Sequence, residues 1–134
     1  MSGSVEQGAS ETHGTMRVLH FLVRLPTSME AAWPALATAQ GLAAWFTPAG
    51  TLEPRLGGTI TLDGLGTGRV TAWDVERIAE YTLERAGRLR FHLERDGDEA
   101  SILRFTHESR GEEESERRWR ERFERLIEVL LSRP

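Results

Sequence analysis

A chain of 134 residues has the length of one domain and can bury roughly two-thirds of its unfolded surface, enough for a core without covalent staples. It contains no cysteine, which excludes disulfides and thiolate metal sites. A formal net charge of −4, from 21 acidic and 17 basic residues, argues against bulk electrostatic binding of nucleic acid.

All 17 basic residues are arginine, so a Schiff-base lysine is also excluded. No apolar run approaches the ~20 residues of a membrane span. Residues 1–16 lack the basic start and apolar stretch of a secretory signal. The chain reads as soluble and cytoplasmic. Residues 1–16 are rich in Ser, Gly, Glu and Thr and offer little to offset ordering entropy. They are expected to be a disordered tail, with one domain over 17–134.

Arg17–Leu25 alternates with period two, and Leu19, Phe21, Val23 and Leu25 form its apolar face. Pro26 stops this strand. Thr27 and Glu30 then offer a capping box for a short helix through Trp33 to about Ala37, with Pro34 expected to end or kink it. A second short helix fits Ala39 to Phe46. Helices this short are marginal alone, so Trp33, Leu36, Leu42, Trp45 and Phe46 must pack on a sheet.

From Gly50 to His107 the stretches Thr51–Glu53, Gly58–Asp63, Gly68–Glu76, Glu80–Arg85, Leu89–Arg95 and Ala100–His107 read as strands divided by turn residues. Gly64–Gly68 lacks the lysine and following helix of a phosphate loop and reads as a hairpin connection. A three-residue loop Asp96–Asp98 would set Arg95 opposite Glu99, Leu93 opposite Ser101 and Phe91 opposite Leu103. Ser109 and Glu112 offer a second capping box, and a helix follows to about Leu131. Its apolar stripe is Trp119, Phe123, Leu126, Ile127, Leu130 and Leu131. Glu116–Arg120 and Glu121–Arg125 stand at the favourable i,i+4 polarity on its charged side.

Several segments, in order, resemble the START-like (SRPBCC) superfamily, and within it the AHSA-type branch named for the activator of heat-shock-protein ATPase. Leu25–Trp33 (LPTSMEAAW) is similar to that family's strand-to-helix passage, and Gly41–Phe46 (GLAAWF) to its Trp-Phe segment. Glu53–Gly58 (EPRLGG) resembles its double-glycine turn, and Gly68–Val70 with Tyr81–Leu83 its next hairpin. Ser101–His107 (SILRFTH) resembles the strand ending in histidine, and Trp119 with Phe123 the start of the gripping helix. Pro34, and Leu83 where an aromatic is common, depart from the pattern.

The resemblance implies an α+β helix-grip fold. It would have a curved antiparallel sheet of about six strands, two short helices after the first strand, and one long C-terminal helix across the concave face. It also implies a cavity between sheet and helix for an apolar or amphipathic small molecule, lipid-like or aromatic. The residues expected to line it are Trp45, Tyr81, Phe91, Phe105, His107, Trp119 and Phe123. His107 shares the face of Leu103 and Phe105 and is placed near the cavity mouth.

No catalytic constellation is recognisable. Ser101 and His107 lie six residues apart on one strand face, roughly 20 Å, too far for a nucleophile–base pair. None of the four histidines stands at metal-ligand spacing to another, so no metal and no cofactor is expected. Two other readings stay open. One is a cyclase or hydrolase of aromatic substrates using His107 or Tyr81. The other is a chaperone-partner or stress-response module, with self-association.

Overall fold

The computed structural model describes residues 3–110 and 116–132. The described elements are β1 (Ser4–Gln7), β2 (Glu11–His13), β3 (Met16–Leu25), α1 (Met29–Ala37), α2 (Ala39–Trp45), β4 (Ala49–Leu52), β5 (Thr59–Leu62), β6 (Gly66–Asp74), β7 (Ile78–Leu83), β8 (Gly87–Arg95), β9 (Ser101–Arg110) and α3 (Glu116–Leu131). The strands make one sheet in the order β1-β3-β9-β8-β7-β6-β5-β4, with β2 also on β3, and every pairing is antiparallel. This is the expected α+β helix-grip architecture with nine described strands, more than the six expected.

Two of the extra strands lie in the segment expected to be a disordered tail. Ser4–Gln7 and Glu11–His13 both pair with β3, because its outer edge presents N–H and C=O groups that a polar segment can satisfy through its backbone. Side-chain burial is slight there: Val5 packs against the core and is the segment's apolar anchor. Arg120 of α3 donates to the Val5 carbonyl at 2.9 Å, tying β1 to the helix.

Period two on β3 gives the face that the sequence predicts, with Leu19, Phe21, Val23 and Leu25 buried. Its partner β9 runs alongside with Phe21 opposite Phe105 and Leu19 opposite His107. The buried face continues through Leu89, Phe91 and Leu93 of β8 and Ala79, Tyr81 and Leu83 of β7. On β6 the register slips between Val70 and Ala72, leaving Thr71 as a bulge. The extra residue lets Val70 and Trp73, an even and an odd position, both turn toward the helices. Trp73 meets Trp33 of α1 edge-to-face at 5.2 Å.

The β8–β9 register differs from the sequence expectation by two residues. Arg95 stands opposite Ser101, Leu93 opposite Leu103 and Phe91 opposite Phe105. The connection is the longer Asp96–Ala100, closed by the Asp96 N–H on the Ala100 carbonyl and turned at Gly97 with φ 84°. Parity is preserved, and the slip aligns large apolar side chains with each other, which is the stronger cross-strand pairing. Arg95 accordingly pairs with Glu30 of α1 at 2.7 Å and not with Glu99.

The helices follow their caps. Ser28, one residue beyond the expected Thr27, accepts the Ala31 N–H and starts α1. Pro34 does not end that helix; its missing N–H frees a carbonyl in the exposed first turn, and α1 continues to Ala37. Thr38 closes α1 by donating to the Pro34 carbonyl and opens α2 by accepting the Gly41 N–H. The expected Ser109–Glu112 cap falls partly outside the described residues, while Ser109 itself is in β9. On α3, Trp119, Phe123, Leu126, Ile127 and Leu130 are buried, but Leu131 is 51% exposed. The expected i,i+4 arginines bond elsewhere: Arg120 to Val5, and Arg125 to the Ala44 carbonyl at 3.1 Å.

Candidate functional site

Beneath α3 the aromatic side chains form one connected cluster. Phe105 of β9 is its centre, with Trp119 at 4.6 Å, Phe123 at 5.0 Å and Phe91 at 5.1 Å between ring centroids. Trp119 and Phe123 lie one turn apart on α3 and so present adjacent rings. Trp45, the last residue of α2, stacks on Phe123 and meets Phe91 edge-on. Its indole N–H donates to the Ala35 carbonyl at 2.8 Å, which fixes the ring between α1 and α3.

Six of the seven residues expected to line a cavity therefore meet: Trp45, Phe91, Phe105, His107, Trp119 and Phe123. Tyr81 stands at the flank and touches only Phe91 among the seven. Its hydroxyl donates to the Leu36 carbonyl of α1 at 2.6 Å, and burial pushes its phenol well above the usual tyrosine range. His107 is not at an open mouth. β9 extends three residues past it to Arg110, which leaves the imidazole inside the strand and 2% exposed. Its Nε2 lies 2.6 Å from the Ala86 carbonyl, which can only accept, so Nε2 carries the proton.

Three residues outside the expected set complete the cluster. Phe21 packs on Phe123 and Phe105 from β3. Phe46 lies against Trp45 and Trp119. The Arg122 guanidinium lies 4.6 Å from the Trp119 ring centroid and 4.9 Å from that of Phe46, a cation–π cover over both. The i,i+3 spacing of Trp119 and Arg122 is the sequence signal for this contact.

Outside this cover runs a groove of about 540 Å³ between α2 and α3. Trp45 and Phe46 form its apolar part; Arg118, Glu121, Arg122 and Arg125 are among its charged walls. Among the described residues no His, Asp and Glu group is placed to hold a metal ion, and no helix is long and apolar enough to cross a membrane.

A curved sheet with two short helices on one side and a long helix across it defines the helix-grip class. No family model matches the sequence, and no curated protein matches it. Solved structures do. A conserved protein of unknown function from Enterococcus faecalis superposes with a TM-score of 0.74 at 17% identity, over 91% of this chain and 75% of its own. CalU16 from Micromonospora echinospora gives 0.71 at 17% identity, over 96% and 87%. The Aha1 dimer from Colwellia psychrerythraea gives 0.66 at 23% identity, over 84% and 95%. The chain thus shares the helix-grip fold of these neighbours, one of which is an Aha1. At such identities the likeness speaks for fold alone.

Proposed function

We propose that this protein binds an apolar or amphipathic small molecule, aromatic or lipid-like, in the layer between the sheet and α3. One observation carries the reading: α2, β8, β9 and α3 each contribute rings to a single cluster directly beneath the gripping helix. The fold is generally a ligand-binding one, which supports the same reading. Because the rings touch, a ligand gains room by displacing Phe46, the half-buried ring that lines the α2–α3 groove.

The cyclase or hydrolase alternative draws no support from its two candidate groups. Tyr81 has its proton committed to a backbone carbonyl and its acidity suppressed by burial. His107 is likewise bonded to a carbonyl and enclosed. The test is a titration of the full chain with 1-anilinonaphthalene-8-sulfonate and its displacement by a panel of aromatic acids and fatty acids. Saturable one-to-one binding is expected. The reading fails if the dye and every panel member leave the protein unchanged.

A further inference from the structure

The charged residues that wall the α2–α3 groove are sorted by sign. Successive residues of a helix turn by about 100°, so Arg118, Arg122 and Arg125 share one sector of about 60°, next to the buried Trp119 and Leu126. Glu121, Glu124 and Glu128 share the next sector, of about the same width, farther from α2. The contacts agree with this order. Arg125 Nε donates to the Ala44 carbonyl of α2 at 3.1 Å, and the Arg122 guanidinium lies over the Phe46 ring. Glu121 turns the other way, to Arg117 at 3.6 Å. The groove therefore carries three charges of each sign, yet its inner side, against the aromatic floor, is cationic.

Resting on the ligand-binding reading above, we infer that this arginine row selects an aromatic acid, a flat ring system carrying a carboxylate. The ring follows from what Phe46 does now. An aromatic ring in its place keeps the cation–π contact with Arg122, which an alkyl chain would forfeit. It also keeps a stacking partner for Trp45, on which Phe46 lies at 5.4 Å between centroids. The carboxylate follows from the row. Arg118 stands one turn before Arg122 and Arg125 one turn after, so a charged group at the ring's edge meets guanidiniums on either side. Their planar forks match a carboxylate and bond it with charge assistance. The three glutamates lie behind the row, so their charge reaches the ligand only across the arginines. A neutral ring would gain the stacking and leave the row unused.

The test uses a matched pair of probes, 2-naphthoate and its neutral near-isostere 2-naphthamide, titrated into the full chain labelled with ¹⁵N. Naphthoate is expected to bind at least about 5-fold more tightly, the upper end for a fully exposed ion pair. The ratio should shrink as sodium chloride rises from about 0.05 to about 0.5 M, through screening. Both probes should shift the backbone amides of Ala43 and Phe46. Arg122→Gln and Arg118→Gln should each bring the ratio toward one. Arg69→Gln removes an equal charge from a residue bonded to Gly57 and Thr59, outside the groove, and should leave the ratio unchanged. Equal affinity of the two probes for the wild-type chain would overturn the selection and leave the ligand-binding reading standing. So would a preference that survives both groove variants, or one that falls as far in Arg69→Gln. Binding of neither probe would overturn the selection, and the dye titration above then decides separately whether the wider reading survives. If Arg122→Gln does not fold, Arg118→Gln, at an exposed position, decides.

Discussion

Tyr81 is the chain's one tyrosine, and there is no lysine or cysteine, so in the alkaline range a single side chain can titrate before arginine. In the folded state burial raises its phenol pKa, and its hydroxyl is held by the Leu36 carbonyl. The unfolded chain loses that proton near its ordinary value of about 10 while the folded chain keeps it. Stability should therefore be flat up to about pH 10 and then fall by about 1.4 kcal/mol per pH unit. Urea unfolding at about pH 9 and about pH 11 measures the slope, and tyrosinate absorbance should appear only as the protein unfolds. Tyr81→Phe should cost about 1 kcal/mol at neutral pH and abolish the alkaline loss. The family resemblance implied an inward-facing Tyr81 but not what its hydroxyl meets. The acceptor is a backbone carbonyl 45 residues away, and nothing in residue type encodes where a carbonyl points. Gly41 is the opposite case, since its side-chain-free backbone is its role. A Cβ there would lie 1.9 Å from the Pro34 carbonyl oxygen, where α2 crosses α1. Gly41→Ala should lower the urea midpoint by the equivalent of about 3 kcal/mol, because backbone must move to admit one methyl group.

At the scale of elements, what was legible in the sequence is what burial on one face imposes. β3 has a clean alternation because its two faces meet different surroundings, and α3 has its stripe for the same reason. β1 and β2 gave no such signal, being held mainly by backbone pairing on an edge and not by apolar side chains. The β8–β9 slip was equally invisible: parity limits the register to even sums, but only the packing of Phe91 on Phe105 chooses between them. Arg120 illustrates the same limit from the other side. Spacing assigned it to Glu116, whereas the fold brings the Val5 carbonyl within 2.9 Å. Arg120→Ala should therefore loosen β1 in particular. Hydrogen exchange is expected to quicken at the β1 amides and remain unchanged in β8 and β9, with about 1 kcal/mol lost overall. Unaltered protection in β1 would mean that pairing with β3 holds the strand without the helix.

The whole molecule closes only when the two ends of the chain meet. β3, from the first fifth of the sequence, pairs along its length with β9, and α3 then packs on β3, β1 and α2. No layer is spare. Trp119, Phe123, Leu126, Ile127 and Leu130 are all buried by α3. At about 1.5–3 kcal/mol each they supply on the order of 10 kcal/mol, an upper figure because the unfolded chain already hides some surface. That equals the entire stability of an ordinary domain, about 5–15 kcal/mol, so the sheet cannot outlast the loss of the helix. Urea unfolding followed by tryptophan fluorescence, which senses Trp119 on α3 and Trp45 against it as well as the Trp33–Trp73 pair of α1 and β6, should coincide with unfolding followed by circular dichroism. Phe123→Ala should shift both curves together by about 3–5 kcal/mol, enough to unfold a marginal domain. A fluorescence transition that precedes the dichroism change would show α3 leaving a surviving sheet. The same coupling governs a ligand seated between helix and sheet: binding to the folded chain alone must raise both midpoints equally, by an amount set by its free concentration over its Kd.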